Sequence, residues 1–194
     1  MKKARLVIGI QGGRGSFNEE AVRYYLAKSA ITNAAIKYLF TTERVLSELE
    51  KGTIDRGQFA IHNSTGGIVW ESIQAMGKHR FTVLHEFAIK IAHAVMIRPD
   101  VRFEEIDTIM THPQVLAQCR MNLAHKYPNL KLTSGEGDLI DHAVVAEYLS
   151  KKKLSKNIAV MGSKVLADIY DLKIVEDNLQ DLAENYTSFL WVKK

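Results

Sequence analysis

Apolar and polar positions along this chain fall into short blocks whose periodicity switches between that of a strand and that of a helix. Residues 6–11 form an apolar run of the kind a buried strand shows. After the glycine-rich residues 12–16, Phe17, Ala21, Tyr24 and Tyr25 recur at helical spacing through 28. Ser16 or Asn18 serves as cap, and Glu19 and Glu20 stand in the first turn. The same reading predicts a strand at 35–40, a helix at 42–51 capped by Thr42 and stopped by Gly52, a strand at 55–63 and a helix at 69–77. Residues 81–98 are mostly apolar or β-branched. Phe87, Ile89 and Ile91 alternate there with Ala88, Lys90 and Ala92, which predicts one long strand ended by Pro99. A strand at 106–110 leads into a helix at 113–126, with Thr111 as cap and Pro113 in the first turn. Strands at 130–133, 157–161 and 172–175 alternate with helices at 138–151 and 162–170. A polar turn at 181–185 precedes a last strand at 186–192, where Thr187, Phe189 and Trp191 share one face. A hydroxyl on that face is either tied to a backbone carbonyl or pointed into a site.

This alternation predicts the α/β class. Four turns run from strand to helix: residues 12–16, 63–67, 111–114 and 134–137. They are rich in hydroxyls, amides and backbone N–H groups and poor in carboxylates. Such turns collect at the carboxyl ends of strands, where ligands bind. An acceptor-rich, negatively charged ligand is the expected partner.

The chain has 194 residues, 46% hydrophobic and 25% charged, which suits one large domain or two small lobes. A net charge of +4 favours a small anion and is too diffuse to argue for nucleic acid. The single cysteine, Cys119, excludes an internal disulfide and a multi-cysteine metal site, and its apolar helical setting marks it as a core thiol. The basic start, Met-Lys-Lys-Ala-Arg, precedes an apolar run too short for a signal peptide. No run approaches a membrane span of about 20 residues, so a cytoplasmic location is expected. The seven histidines show no metal-ligand spacing, and no metal or cofactor is expected. The Gly12–Gly15 turn has neither dinucleotide nor P-loop spacing. Its remaining chemistry is that of backbone N–H groups at a helix N-terminus.

Several stretches match motifs in order. Gly12-Gly13-Arg14-Gly15-Ser16-Phe17-Asn18-Glu19-Glu20-Ala21 is similar to G-P-x-G-T-[FY]-S-E-x-A. Asp55, Gly57, Ile61, Asn63, Ser64, Gly67 and Val69 match D-x-G-x-x-P-I-E-N-S-x-x-G-x-V, with His62 for the Glu and Ala60 for the Pro. Glu86, Ile91, His93 and Val95 echo E-x-x-x-x-I-x-H-x-L. The run from Thr111 to Cys119 follows S-H-P-Q-A-L-x-Q-C. Asn178-Leu179-x-Asp181 keeps the end of a further motif, and Asn185-Tyr186-Thr187-Ser188-Phe189 is N-x-T-R-F with Ser188 for the Arg. From about residue 6 to 192 the chain resembles the prephenate dehydratases.

The resemblance implies a two-lobed α/β fold, similar to type 2 periplasmic binding proteins, with a mixed sheet flanked by helices in each lobe. Lobe one is expected at 1–80 plus 174–194 and lobe two at 81–173, with the active cleft between them. It implies conversion of prephenate, a dicarboxylate with a ring hydroxyl, to phenylpyruvate with loss of water and carbon dioxide. The donor to the departing hydroxyl falls on Thr187. Substrate contacts fall on Gly15, Ser16, His62, Asn63, Ser64, Thr111, Gln114, Gln118, Ser134, Ser188 and Phe189. No cofactor is implied, and family members pair as homodimers. His93 is read equally as a core histidine and as a site group. Ser188 lacks the bidentate charge of an arginine, and a cation at His62 is expected to compensate in part. No E-S-R-P motif of an ACT domain occurs, so feedback by phenylalanine is not expected. Two further readings are a non-aromatising prephenate decarboxylase and a non-catalytic binder of a small carboxylate.

Overall fold

The computed structural model describes residues 5–194; the basic start, residues 1–4, lies outside them. In chain order the elements are β1 (Leu6–Gln11), α1 (Phe17–Lys28), β2 (Ala34–Phe40), α2 (Thr42–Lys51), β3 (Arg56–Asn63), β4 (Gly67–Ile68), α3 (Trp70–Met76) and β5 (Thr82–Lys90). There follow β6 (Ala94–Ile97), β7 (Thr108–Met110), α4 (Pro113–Gln118), α5 (Arg120–Lys126), β8 (Lys131–Thr133), α6 (His142–Ser150), β9 (Ile158–Gly162), α7 (Val165–Tyr170), β10 (Lys173–Glu176) and β11 (Tyr186–Lys193). Short 3-10 turns lie at Phe103–Glu105 and Gly137–Ile140.

The chain forms two compact units. One takes in the chain up to Ile91 together with Glu184–Lys194, and the other is Ala92–Ala183. The expected boundaries at 80/81 and 173/174 are corrected by strand pairing. β5 pairs along β11, Phe87 opposite Phe189, and so belongs to the first unit. β10 pairs antiparallel with β6 and so belongs to the second.

The first unit is built on a mixed sheet of order β2-β1-β3-β11-β5, with β4 paired to β3. β1 lies parallel to β2 and β3, whereas β11 runs antiparallel to both its neighbours. Residues of β11 alternate between two apolar layers. Phe189 packs with Ala21, Ala60 and Ile89, and Trp191 with Ile8, Ile10 and Val22. Leu190 and Val192 pack with Val45, Leu46, Leu49 and Phe59. Burying each large side chain of this kind contributes about 1.5–3 kcal/mol.

Local chemistry sets the helix ends. Ser16 caps α1, accepting from the Glu19 N–H at 3.3 Å. The cap of α2 is Thr41 rather than the expected Thr42. Thr42 is buried, its hydroxyl 2.7 Å from that of Ser72, while Glu71 accepts from the Thr42 N–H at 2.8 Å. Gly52 ends α2 at φ 73°, the left-handed conformation a side chain resists.

His79 ties α3's far end back to α2. Its Nδ1 lies 2.9 Å from Glu50 and its Nε2 2.9 Å from Glu43. Hydrogen bonding to Glu43, then to Glu50, raises its pKa, and His79 in turn lowers both carboxylates. A raised histidine pKa gives stability that is full below its unfolded value, about 6.5, and is lost as pH rises through the folded value. The thermal midpoint is therefore expected to fall by about 2 °C between pH 6 and pH 9. Calorimetry of wild type and His79→Gln checks this: the variant should lose that part of the slope.

The second unit carries a sheet of order β10-β6-β9-β7-β8, in which β7, β8 and β9 are parallel and β6 runs antiparallel to both its neighbours, β9 and β10. Its core holds Val95, Ile97, Ile109, Cys119, Leu123 and Met161. Burial pushes the Cys119 thiol up to about 12, as expected of a core thiol. The single strand expected at 81–98 is two strands in two sheets. The break at residues 91–93 is invisible in the pattern because Ile91, Ala92 and His93 are all buried. The helix expected at 113–126 is likewise two helices, broken at Cys119 (φ −120°, ψ 11°). Asp181 explains the break, since its carboxylate accepts from the N–H groups of Met121 and Asn122, each at 2.9 Å, at the start of α5. The helix expected at 138–151 begins only at His142, capped by Asp141 through the Ala143 N–H at 2.8 Å.

Candidate active site

In the first unit, residues more than 120 positions apart form one hydrogen-bonded clasp. Asn63 ends β3 and is the direct partner of Thr187 on β11. Its amide oxygen accepts from the N–H groups of Thr65 (3.0 Å) and Gly66 (2.7 Å), closing the turn into β4. Those two backbone donors fix which end of the amide is nitrogen. Its Nδ2 then donates to Asn185 Oδ1 at 2.8 Å and to Thr187 Oγ1 at 2.9 Å. Ser64 holds the same strand. Its N–H donates to the Tyr186 carbonyl at 2.8 Å, and its hydroxyl donates to the Glu184 carbonyl at 3.0 Å and accepts from the Tyr186 N–H at 2.8 Å. Asn185 is buried and its carbonyl accepts from the Ile91 N–H at 2.7 Å.

Thr187 is thus held by an acceptor bond. Its oxygen receives the Asn63 amide, and its hydroxyl proton has no acceptor among the described residues. A hydroxyl offers one donor and two acceptor positions. With one lone pair engaged, the proton is left to be donated elsewhere, and the engaged N–H steadies negative charge that grows on the oxygen. Of the two roles the sequence left open, the tie to a backbone carbonyl is absent.

A bulge makes this arrangement. Ser188 opposes His62 and Phe189 opposes Ala60, so Ile61 is the extra residue of β3. Strict alternation would place Asn63 on the layer of Phe59 and Ile61. The bulge turns it to the face of Thr187, a use bulges have beside sites. It also puts His62 and Ser188 together on the opposite face. His62 is exposed and Ser188 half-buried. These two departures from the resemblance, His62 and Ser188, are therefore cross-strand partners, turned away from the Thr187 hydroxyl.

Other expected site residues have internal partners. Glu19, fully buried, accepts from the Gly15 N–H at 2.7 Å and from Arg23 at 2.6 Å. Tyr38 also bonds Glu19, and burial followed by that contact pushes its pKa up to about 12. The Ser16 hydroxyl donates to the Gly13 carbonyl at 2.7 Å. The glycine turn therefore closes around the chain's own carboxylate, which corrects the reading of Gly15 and Ser16 as open donors. Phe189 is corrected likewise: its ring lies in the core, 5.7 Å from Phe87.

In the second unit, the turns after β7, β8 and β9 and the start of β6 meet one edge of the sheet. They bring Thr111, His112, Ser134, His142, Gly162 and His93 to that edge. The buried Thr111 hydroxyl donates to the Met161 carbonyl at 2.5 Å. The cap of α4 is therefore not Thr111 but His112, whose Nδ1 accepts from the Gln114 N–H at 3.2 Å. The Gln114 side chain is exposed and Ser134 half-buried. His93 is 2% exposed, and its Nε2 lies 2.8 Å from Gln118 Oε1. Burial lowers the His93 pKa, more than the Gln118 contact raises it. With its oxygen on His93, the Gln118 amino group has no partner among the described residues.

Sequence reasoning missed His142. Its ring packs so closely on Gly162 that a Cβ there would lie 2.5 Å from it. Burial, with His93 and His112 nearby, lowers its pKa to about 4. Gln180 was also missed; it accepts from the His93 N–H at 3.2 Å. Neither lies in a motif whose spacing points to a site. Among the described residues no cluster of metal-ligating side chains forms, and no helix is long and apolar enough to cross a membrane.

The prephenate dehydratase family model matches residues 8–194. The chain is 28% identical to arogenate dehydratase 2 of Petunia hybrida over 191 residues, covering 98% of this chain and 45% of the relative. It is 24% identical to the bifunctional chorismate mutase/prephenate dehydratase of Pseudomonas aeruginosa over 185 residues, covering 95% of this chain and 48% of the relative. It thus spans less than half the length of these relatives. The crystal structure of an Arthrobacter aurescens prephenate dehydratase in complex with L-Phe superposes with a TM-score of 0.81 at 21% identity, over 97% of this chain and 60% of that one.

Proposed function

The chain belongs to the prephenate dehydratase family, and from that premise we propose that it converts prephenate to phenylpyruvate, water and carbon dioxide. The observation that carries the proposal is the Asn63–Thr187 contact at 2.9 Å, which leaves the Thr187 proton free to donate. The ring hydroxyl of prephenate is a poor leaving group until a donor meets its oxygen. Thr187 donates to that oxygen as the carbon–oxygen bond lengthens. The electron pair of the breaking carbon–carboxylate bond moves into the ring, carbon dioxide leaves, and the ring becomes aromatic. Water departs with the Thr187 proton, and a solvent water then returns a proton to the threonine oxygen. Asn63 Nδ2 stabilises the threonine oxygen while it carries charge.

In this reading Asn63 and Ser64 are positioning residues. On the second unit taken by itself, the Gln118 amino group is a donor for a carboxylate at the edge that carries Thr111, Gln114 and Ser134. Ser188 and His62 do not touch the reacting atoms. Ser188→Ala is accordingly expected to keep kcat within about threefold of wild type, since it leaves every transition-state contact in place. Steady-state kinetics check this, and a loss of a hundredfold would return Ser188 to the substrate. Two copies of the chain pair, and the reaction runs in the cytoplasm.

The test is to assay prephenate and arogenate side by side and to identify each product. Phenylpyruvate from prephenate, at the higher kcat/KM of the two, supports the reading, because a dianion suits donor-rich turns on a chain of net charge +4. A non-aromatic decarboxylated product would assign the chain to the decarboxylase reading instead.

A further inference from the structure

β5 is the edge strand of the first unit's sheet, nine residues long, with neither proline nor glycine between Thr82 and Lys90. β11 pairs one side of it, and no other strand pairs with it among the described residues. Long unprotected edges recruit another strand unless something blunts them. The phase of the ladder shows what this edge offers. The Ile91 N–H donates to the Asn185 carbonyl, so odd-numbered residues from 87 to 91 bond toward β11. The N–H and C=O groups of Glu86, Ala88 and Lys90 therefore point outward.

Antiparallel self-pairing must set outward residues against outward residues. An axis through Glu86 would oppose two glutamates. An axis through Ala88 sets Glu86 of each copy against Lys90 of the other, and Ala88 against Ala88. On the opposite face it sets Phe87 against Ile89 twice, beside the Phe87 ring's contacts with Tyr25 (4.9 Å) and Phe189 (5.7 Å). Glu86, Ala88 and Lys90 are all exposed in the single chain.

We infer that two copies join through antiparallel pairing of their β5 edges about Ala88, fusing the two sheets into one. The inference rests on the pairing of copies proposed above, gives it a surface, and is independent of turnover.

Sedimentation velocity on the full chain tests it. Wild type should be a dimer. Ala88→Pro removes an outward N–H, leaves the β5–β11 ladder intact, and should be a folded monomer by circular dichroism. Glu86→Lys should weaken association about tenfold, and adding Lys90→Glu should restore it. A folded Ala88→Pro that remains dimeric overturns the surface while leaving dimerisation standing. A wild type that stays monomeric up to about 100 μM, far above the concentration a stable dimer needs, overturns both. If Ala88→Pro does not fold, the charge-reversal pair decides: failure of the double reversal to restore association overturns the surface.

Discussion

Replacing Thr187 with valine is expected to lower kcat for prephenate by about 10²–10⁴, the range that a positioned proton donor supplies. Valine keeps the shape and removes only the hydroxyl. Thr187 is 8% exposed, so a large stability loss would confuse the result; none is expected. The amide nitrogen that served Thr187 retains Asn185 Oδ1 at 2.8 Å and the Tyr186 carbonyl at 3.3 Å as acceptors. Thr187→Ser keeps the donor and should remain within about tenfold of wild type, the smaller cost of a less constrained hydroxyl. Steady-state kinetics of the pair, with thermal melts alongside, read the hydroxyl's role separately from packing.

The second large effect falls on Asn63. Asn63→Ala removes the partner of two backbone N–H groups, of buried Asn185 and of Thr187. Stranding such groups costs about 1–3 kcal/mol in stability, and kcat should fall about 10²-fold as Thr187 loses its hold. Asn63→Asp separates the two consequences. A carboxylate still accepts from Thr65 and Gly66, and Asn185 turns its amide to donate to it, so stability should stay near wild type. The Thr187 hydroxyl, however, then donates to the new carboxylate and no longer to substrate. A stable, folded and inactive Asn63→Asp is the expected outcome, read by melting and turnover on one preparation.

Much of this was legible in the sequence. Periodicity marked the alternating strands and helices, and the turns at the carboxyl ends of strands were recognisable by their residue types. Thr187, Asn63 and Ser64 stood in matching motifs, but the sequence did not indicate that they hold one another. That depends on the bulge at Ile61, which no residue type announces, since isoleucine is an ordinary strand residue. Ser188 alternates to the face opposite Thr187 along β11, and the bulge turns His62 to that same face, so both departures point away from the Thr187 hydroxyl.

The misplaced boundaries have a related cause. Residues 91–93 are as buried as β6, which follows them, so the hydrophobic pattern runs straight through a change of sheet. Cys119 breaks a helix because Asp181, 62 positions on, caps the second half; a local reading has no access to that contact. Gly15 and Ser16 had the chemistry of an anion site, but the Gly15 N–H serves the chain's own Glu19 and the Ser16 hydroxyl donates to the Gly13 carbonyl. His142 replaces no recognisable motif residue, and its role against Gly162 arises only when β9 and α6 are brought together.

The most direct test of the central claim is to identify and quantify the product when wild type and Thr187→Val are incubated with prephenate at neutral pH. Phenylpyruvate formed by wild type well above the spontaneous rate, and reduced to near that rate by the valine, is the predicted result. Equal rates in the two proteins would contradict the role of the hydroxyl, and no phenylpyruvate from either would contradict the dehydratase itself.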